Sequence, residues 1–361
     1  MSDSIFERED LAGYRKLLPD EYAERFDATN ATFEVGPVEP DPEALVDKSR
    51  RSVVRKQQTA SGKRFPFPIP NGWFVVGEST QLEPGEVQSL YAFGRDLVLY
   101  RSEEGTPRLI DAYCPHLGAH IGAGGKVDGD GIRCPFHGWR YEGASGRCTD
   151  IPYTEDDRIP AGGQVRSYPL VERNHMIWAW HHLEEEPAHF EVPEVPELSD
   201  PDWLPYEVKT FEIATCIQEM AENDADLAHF KYVHGSPAIP DGEMTVDGHY
   251  RRSSNGTFIR ESFGIGCSVL HIADAFRFVS SVIPIDEENV RVIWWFTAPR
   301  ASGEGAAKVI AEAFFTGVSQ DLAIWENKRY QPKPLLTESE KKIVEHRKWA
   351  SQFYSGYEPQ S

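Results

Sequence analysis

CPHLGAHIGAGGKVDGDGIRCPFHGW, Cys114 to Trp139, pairs two Cys with two of its three His as Cys-x-His, then seventeen residues, then Cys-x-x-His. Structural zinc sites use the same residue types, but usually as like pairs, Cys with Cys and His with His. Here each pair is mixed, and the first has a single intervening residue. That suits two metal-binding loops that each give one thiolate and one imidazole. A [2Fe–2S] cluster with two thiolates on one iron and two imidazoles on the other needs such a set, Cys114, His116, Cys134 and His137. Replacing thiolate by neutral imidazole raises the potential from about −400 mV to a range of about −150 to +300 mV. Gly118, Gly122, Gly124 and Gly125 allow tight loops, and Pro115 and Pro135 stiffen them. A zinc site is the competing reading. His120 is not needed as a ligand.

The runs around this stretch set the fold class. From Trp73 to about His182 short β-rich segments alternate with turns (WFVVG, VQSLYAFG, DLVLYR, PRLIDAY, HMIWAW), which reads as an all-β module of hairpins. FPFPIPNGW before it and EVPEVPELSDPDW after it read as linkers. Three parts are expected: an N-terminal extension over 1–70, the cluster domain over 71–185 and a second domain over 186–361. In the extension YRKLLPDEYAERF suggests short helices and KSRRSVVRKQ a basic, solvated face. In the second domain TFEIATCIQEMAENDADLAHFKYVHG runs from a strand into a helix that stops at Gly235. TFIRESFG, FRFVSSVIPI, VRVIWWFTAP and VIAEAFFTG read as strands, and a helical stretch from about Ser319 to Tyr354, broken by Pro332 and Pro334, closes the chain.

The 361 residues carry a formal charge of −21, which argues against nucleic acid and anionic membrane surfaces as partners. Five scattered Cys make no disulfide framework, and MSDSIFERED lacks the apolar core of a secretory signal, so a cytoplasmic location is expected. No apolar run reaches membrane-spanning length. No GxGxxG follows a strand, so no nicotinamide or flavin fold is expected.

A second constellation lies in Glu222–Gly235, with Asn223, Asp226, His229 and His234. His229 and His234 are five apart, about 140° on an ideal helix, so they meet at one metal only if the helix unwinds between them. Two His and one carboxylate make a facial triad that leaves positions open on iron(II). A one-electron cluster in the same chain needs an acceptor of that kind.

Together the motifs Cys114-Pro-His116…Cys134-Pro-Phe-His137 and Asn223-x-x-Asp226-x-x-His229-x4-His234 resemble the oxygenase component of Rieske non-haem iron oxygenases, from about Trp73 to the C-terminus. RCTDIPY and QDLAIWENKRY…PLL are similar to the branch of 3-ketosteroid 9α-hydroxylases and cholesterol 7-desaturases. The resemblance implies an α+β protein, with an all-β Rieske domain and a catalytic domain whose antiparallel sheet is flanked by helices in the helix-grip manner. It implies Asp321 as the third iron ligand, with Glu326 as the fallback, and Asp226 as the electron bridge; Asn223 is expected near the iron. Read without the family, Asp321 is a first-turn helix acid capped by Ser319. The resemblance further implies O2 as co-substrate, electrons from NAD(P)H through a separate reductase, a head-to-tail homotrimer, and hydroxylation or desaturation of a steroid-like molecule. A ring-hydroxylating aromatic dioxygenase is the alternative. Trp294, Trp295, Phe314 and Phe315 read as sheet core or cavity lining.

Overall fold

The computed structural model describes residues 38–45, 62–154, 158–255, 258–272 and 275–357, in two compact units. One spans Asn71–Glu194; the other holds residues 38–45, 62–70 and 195–357. YRKLLPDEYAERF and KSRRSVVRKQ lie outside the described residues.

The Asn71–Glu194 unit is built from antiparallel strands. β1 (Gly72–Glu78) pairs with β11 (Met176–His181), which pairs with β10 (Leu170–Arg173). β2 (Val87–Ala92), β3 (Arg95–Arg101), β4 (Pro107–Asp111) and β9 (Ser167–Tyr168) form a second sheet in that order. Leu97, Val98, Leu99 and Tyr100 of β3 are all fully buried, so the strand is covered on both faces and reads as an unbroken apolar run. The third sheet, β5 (Lys126–Asp128), β6 (Gly131–Arg133), β7 (Arg140–Tyr141) and β8 (Cys148–Asp150), is made of very short strands. One motif loop joins β4 to β5 and the other joins β6 to β7. Past β11, His189 and Phe190 still pack edge-on against Trp180.

The second unit is a seven-stranded antiparallel sheet. Its order is β12 (Glu207–Ile213), β18 (Val290–Thr297), β17 (Phe276–Pro284), β16 (Cys267–Ile272), β15 (Ile259–Phe263), β14 (Tyr250–Ser254), β13 (Glu243–Asp247). Between β12 and β13 run two short helices, α1 (Ile217–Glu222) and α2 (Leu227–Tyr232), where the sequence suggested one. The break falls at Asn223–Asp226, because the Asp226 side chain turns back to accept from the His229 N–H and starts a new helix. α3 (Ala306–Trp325) packs against β12 and β18, and α4 (Lys341–Ala350) follows near the C-terminus.

Two expectations are corrected here. VIAEAFFTG is not a strand but part of α3. Its alanines favour helix, and its buried residues Ile310, Ala311, Ala313 and Phe315 recur at three- and four-residue intervals. Ser319 and Asp321 therefore lie deep in a helix that begins at Ala306, and the first-turn acid reading fails. The boundary between the two units falls within FPFPIPNGW, at Pro70 and Asn71, and the segment is packed: Phe65 and Phe67 are buried, and Phe67 packs on Tyr330 and Tyr354.

Arg64, just before that segment, holds the end of α3. Its Nη1 donates to the carbonyls of Trp325 (3.2 Å), Glu326 (2.8 Å) and Lys328 (3.2 Å), and its Nη2 to that of Ala214 (2.6 Å). A guanidinium at the negative end of a helix dipole satisfies carbonyls that have no partner in the helix. Arg64→Ala leaves them buried and unpaired, and we expect it to destabilise this unit by about 3 kcal/mol, measured as a lower denaturation midpoint. A midpoint unchanged within error would show the cap to be dispensable.

Candidate active site

The two motif loops close in the same way. The Cys114 carbonyl accepts from Gly118 N–H (2.9 Å) and the Cys134 carbonyl from Gly138 N–H (3.0 Å). Each Cys N–H donates five residues on, Cys114 to Ala119 and Cys134 to Trp139, both at 2.9 Å. Gly118 and Gly138 sit at φ 75° and 74°, a region that side chains resist. The turns are equal in length, and only the His position differs. His116 and His137 come together with ring centroids 4.7 Å apart, and His116 stacks on Trp139.

This pocket fits a [2Fe–2S] cluster. Cys114 and Cys134 are buried, and burial pushes the Cys134 thiol up, with Cys114 beside it adding to the effect. Two adjacent buried thiolates need cations. The His137 Nδ1 is buried without a hydrogen-bond partner. Tyr141 Oη lies 3.0 Å from Cys114 Sγ and can donate to it once it is a thiolate. Leu117 and Phe136 are exposed beside the two His, so the pocket opens near the surface.

In the other unit His229, His234 and Asp321 each bring one ligand atom within 4.8 Å of the others, and among the described residues they are the only such cluster of three or more. His229 stands in α2, and His234 lies past the helix end at Tyr232, just before the stop at Gly235 (φ 75°). Their centroids are 5.0 Å apart. Asp321 comes from α3. Glu326, five residues further, is buried at the helix end but outside the cluster.

Hydrogen bonds fix which nitrogen each imidazole presents. The His229 Nδ1 meets the Asp226 carbonyl, which only accepts, so the proton sits on Nδ1 and Nε2 carries a lone pair. Gln320 donates through Nε2 to the Val38 carbonyl, so its Oε1 accepts from His234 Nδ1 at 3.1 Å. The lone pair of His234 then sits on Nε2, 3.3 Å from Asp321 Oδ2. Two acceptors facing each other at that distance require a proton or a cation between them. Burial opposes a charged His234, but the Asp321 carboxylate and the bonds to Asp321 and Gln320 outweigh it and push the imidazole up. At His229 burial dominates and pulls the imidazole down. The site is therefore built to hold positive charge at its centre, and the residues fit a divalent metal.

Asn223 and Asp226 both touch His229. Asn223 Nδ2 lies 3.1 Å from His229 Nε2, on the ligand side of the ring. Asp226 caps α2 with its carboxylate and reaches the ring with its main-chain carbonyl. Sequence reading missed Gln320. Its one signal was a polar residue beside Asp321 in an apolar helix.

A cavity of about 290 Å³ adjoins His229, His234 and Asp321, between α3 and one face of the sheet. Ala313, Gly317, Asp321 and Trp325 line it at four-residue steps along α3, the small ones making room. Trp294 and Phe314 line it too, whereas Trp295 and Phe315 point into other packing.

Residues 72–169 match the Rieske [2Fe-2S] domain, and residues 179–264 and 261–354 match the 3-ketosteroid 9alpha-hydroxylase C-terminal domain. Cholesterol 7-desaturase nvd of Xenopus laevis is 31% identical over 88% of this chain and 79% of its own length. A probable 3-ketosteroid-9-alpha-monooxygenase oxygenase component of Rhodococcus rhodochrous is 28% identical over 80% of this chain and 81% of its own. The solved structure of NdmA from Pseudomonas putida CBB5 superposes with a TM-score of 0.65 at 18% identity, over 77% of this chain and 88% of that one, a likeness of fold. With the paired Cys–His loops on an all-β domain joined to this C-terminal domain, the chain belongs to the Rieske oxygenases, in the branch that holds the cholesterol 7-desaturases and the 3-ketosteroid 9α-monooxygenase oxygenase components.

Proposed function

We propose that this chain is the oxygenase component of a multicomponent Rieske monooxygenase that hydroxylates or desaturates a steroid-like substrate. The observation that carries the reading is the convergence of His229 Nε2, His234 Nε2 and Asp321 on one point at the wall of a largely apolar cavity. A mononuclear iron(II) held there would supply O2 activation, and a cluster on Cys114, His116, Cys134 and His137 would supply single electrons. The partner we propose is a separate reductase fed by NAD(P)H, and the assembly a homotrimer.

The chain's own groups do the rest. Asp226 and Gln320 keep both ligand nitrogens deprotonated on the same side. Asn223 Nδ2 donates to the lone pair on His229 Nε2. Phe278, Trp294 and Phe314 give an apolar frame the contact it needs while they exclude water from the reacting carbon. We assign the Asp226 carboxylate the bridge between His229 and a cluster-binding imidazole.

Three outcomes follow. Purified protein is red-brown with about two irons and two sulfides from the Rieske site, and His137→Cys keeps a [2Fe–2S] spectrum while its potential falls by at least about 100 mV. A colourless, zinc-loaded protein would refute the cluster. Asp226→Asn retains the helix cap, since Asn caps as well as Asp, and retains both metals, but turnover falls by about 10- to 100-fold. Full turnover would reduce Asp226 to a capping residue. Finally, with a surrogate reductase, a panel of steroids yields a product of one added oxygen or two lost hydrogens by mass. Turnover of a fused aromatic hydrocarbon and of no steroid would move the protein to the aromatic dioxygenases.

A further inference from the structure

The sheet face behind the cavity is not apolar throughout. Arg251, Ser262, Ser268, Ser280 and Trp294 stand opposite one another in register across β14 to β18, and all five line the cavity. The neighbouring row begins Ser253, Arg260 and continues into Leu270 and Phe278. One end of the sheet wall of the cavity is thus polar and cationic, and the second row turns apolar at Leu270 and Phe278.

The charges at that end do not balance. Among the described residues Asp224 is the one carboxylate there. Both of its oxygens are taken by Arg251 Nη2, at 2.8 and 2.9 Å, and Oδ2 also accepts from Ser253 Oγ at 2.7 Å. Burial opposes its charge, but chiefly Arg251, with Arg260 and Ser253, holds its carboxyl at about 2. His346, behind Arg251, is pulled well down by burial and adds no charge. Arg260 is the second guanidinium. Its Nη1 donates to Ser268 Oγ at 2.9 Å, its Nε has no hydrogen bond, and its nearest acid oxygen is Asp224 Oδ2 at 3.7 Å. A guanidinium has five N–H donors in a planar fork. Here one of them is used, and an anion already engaged by another Arg is the nearest counter-charge.

We propose that Arg260 is a specificity-determining residue that anchors a carboxylate carried by the substrate, with Ser268 beside it; this deepens the reading above and rests on it. A carboxylate matches the unused donors as a charge-assisted, two-pronged partner and neutralises the cation left over by the Asp224–Arg251 pair. The substrate is then an apolar polycyclic acid, its frame against Phe278, Trp294 and Phe314 and its acid at β15.

The test is equilibrium binding to the metal-loaded full chain by calorimetry, which needs no turnover. The probes are 5β-cholanic acid and its methyl ester, and pyrenebutyric acid and its methyl ester. The cholanic acid is expected to bind about tenfold or more tightly than its ester, the scale of one charge-assisted pair. Arg260→Gln should remove that preference while leaving ester affinity unchanged, and Arg260→Lys should keep part of it. Equal binding of steroid acid and ester to the native protein, or an acid preference that survives Arg260→Gln, overturns the role of Arg260 while steroid binding itself stands. An Arg260-dependent acid preference on the pyrene pair with no steroid binding keeps the anchor and removes the steroid. Failure of all four to bind overturns both. If Arg260→Gln does not fold, the acid–ester ratio of the native protein and of Arg260→Lys still decides.

Discussion

An imidazole can hold a cation only through a nitrogen that carries no proton, and in this chain that choice is made behind the rings. A main-chain carbonyl, that of Asp226, takes the His229 proton, and a side-chain amide, that of Gln320, takes the one on His234. Gln320 can act so because its own amide hydrogen is committed to the Val38 carbonyl. The rest of the catalytic unit keeps this arrangement in place. The break between α1 and α2 puts Asp226 at a helix start, the end of α2 at Tyr232 releases His234 from helical register, and Arg64 fixes the end of the helix that carries Gln320 and Asp321. Deleting the proton acceptor behind a ring would let it flip its tautomer and turn a protonated nitrogen towards Asp321.

The cluster loops solve a related problem with backbone alone. One hydrogen-bonded turn, used twice, buries a sulfur and brings out an imidazole, and left-handed glycines close it at both sites. Moving the His by one position within an otherwise equal turn aims the two rings at a common space. Buried sulfurs and half-buried rings leave the imidazole side nearest to solvent.

The cavity combines opposed demands. A steroid-sized frame asks for apolar walls, but a row of serines and two arginines crosses the inner face of the sheet. Buried polar groups weaken a sheet unless partnered, and here Ser262 and Ser268 each accept from one of the two arginines. Arg251 is partnered by Asp224, His346 and the Trp349 ring, and Arg260 is much less so.

The paired Cys–His loops, the all-β character of residues 72–181 and the family were legible in the sequence, because motif spacing and short β-rich runs bounded by turns are local properties of the chain. Even the unwinding between His229 and His234 could be read, since an ideal helix cannot bring residues five apart to one metal. VIAEAFFTG could not: an apolar run of that length suits a strand or a buried helix equally, and burial under α3's neighbours decided it. Gln320, Arg260, Asp224 and the serine row were invisible for a different reason. Polar residues alternate along a strand on either face, and only the packing of α3 on the sheet says which face is inside. What the sequence determined was the chemistry available; which side chains stand behind it, and what the cavity accepts, was decided by contacts between residues far apart along the chain.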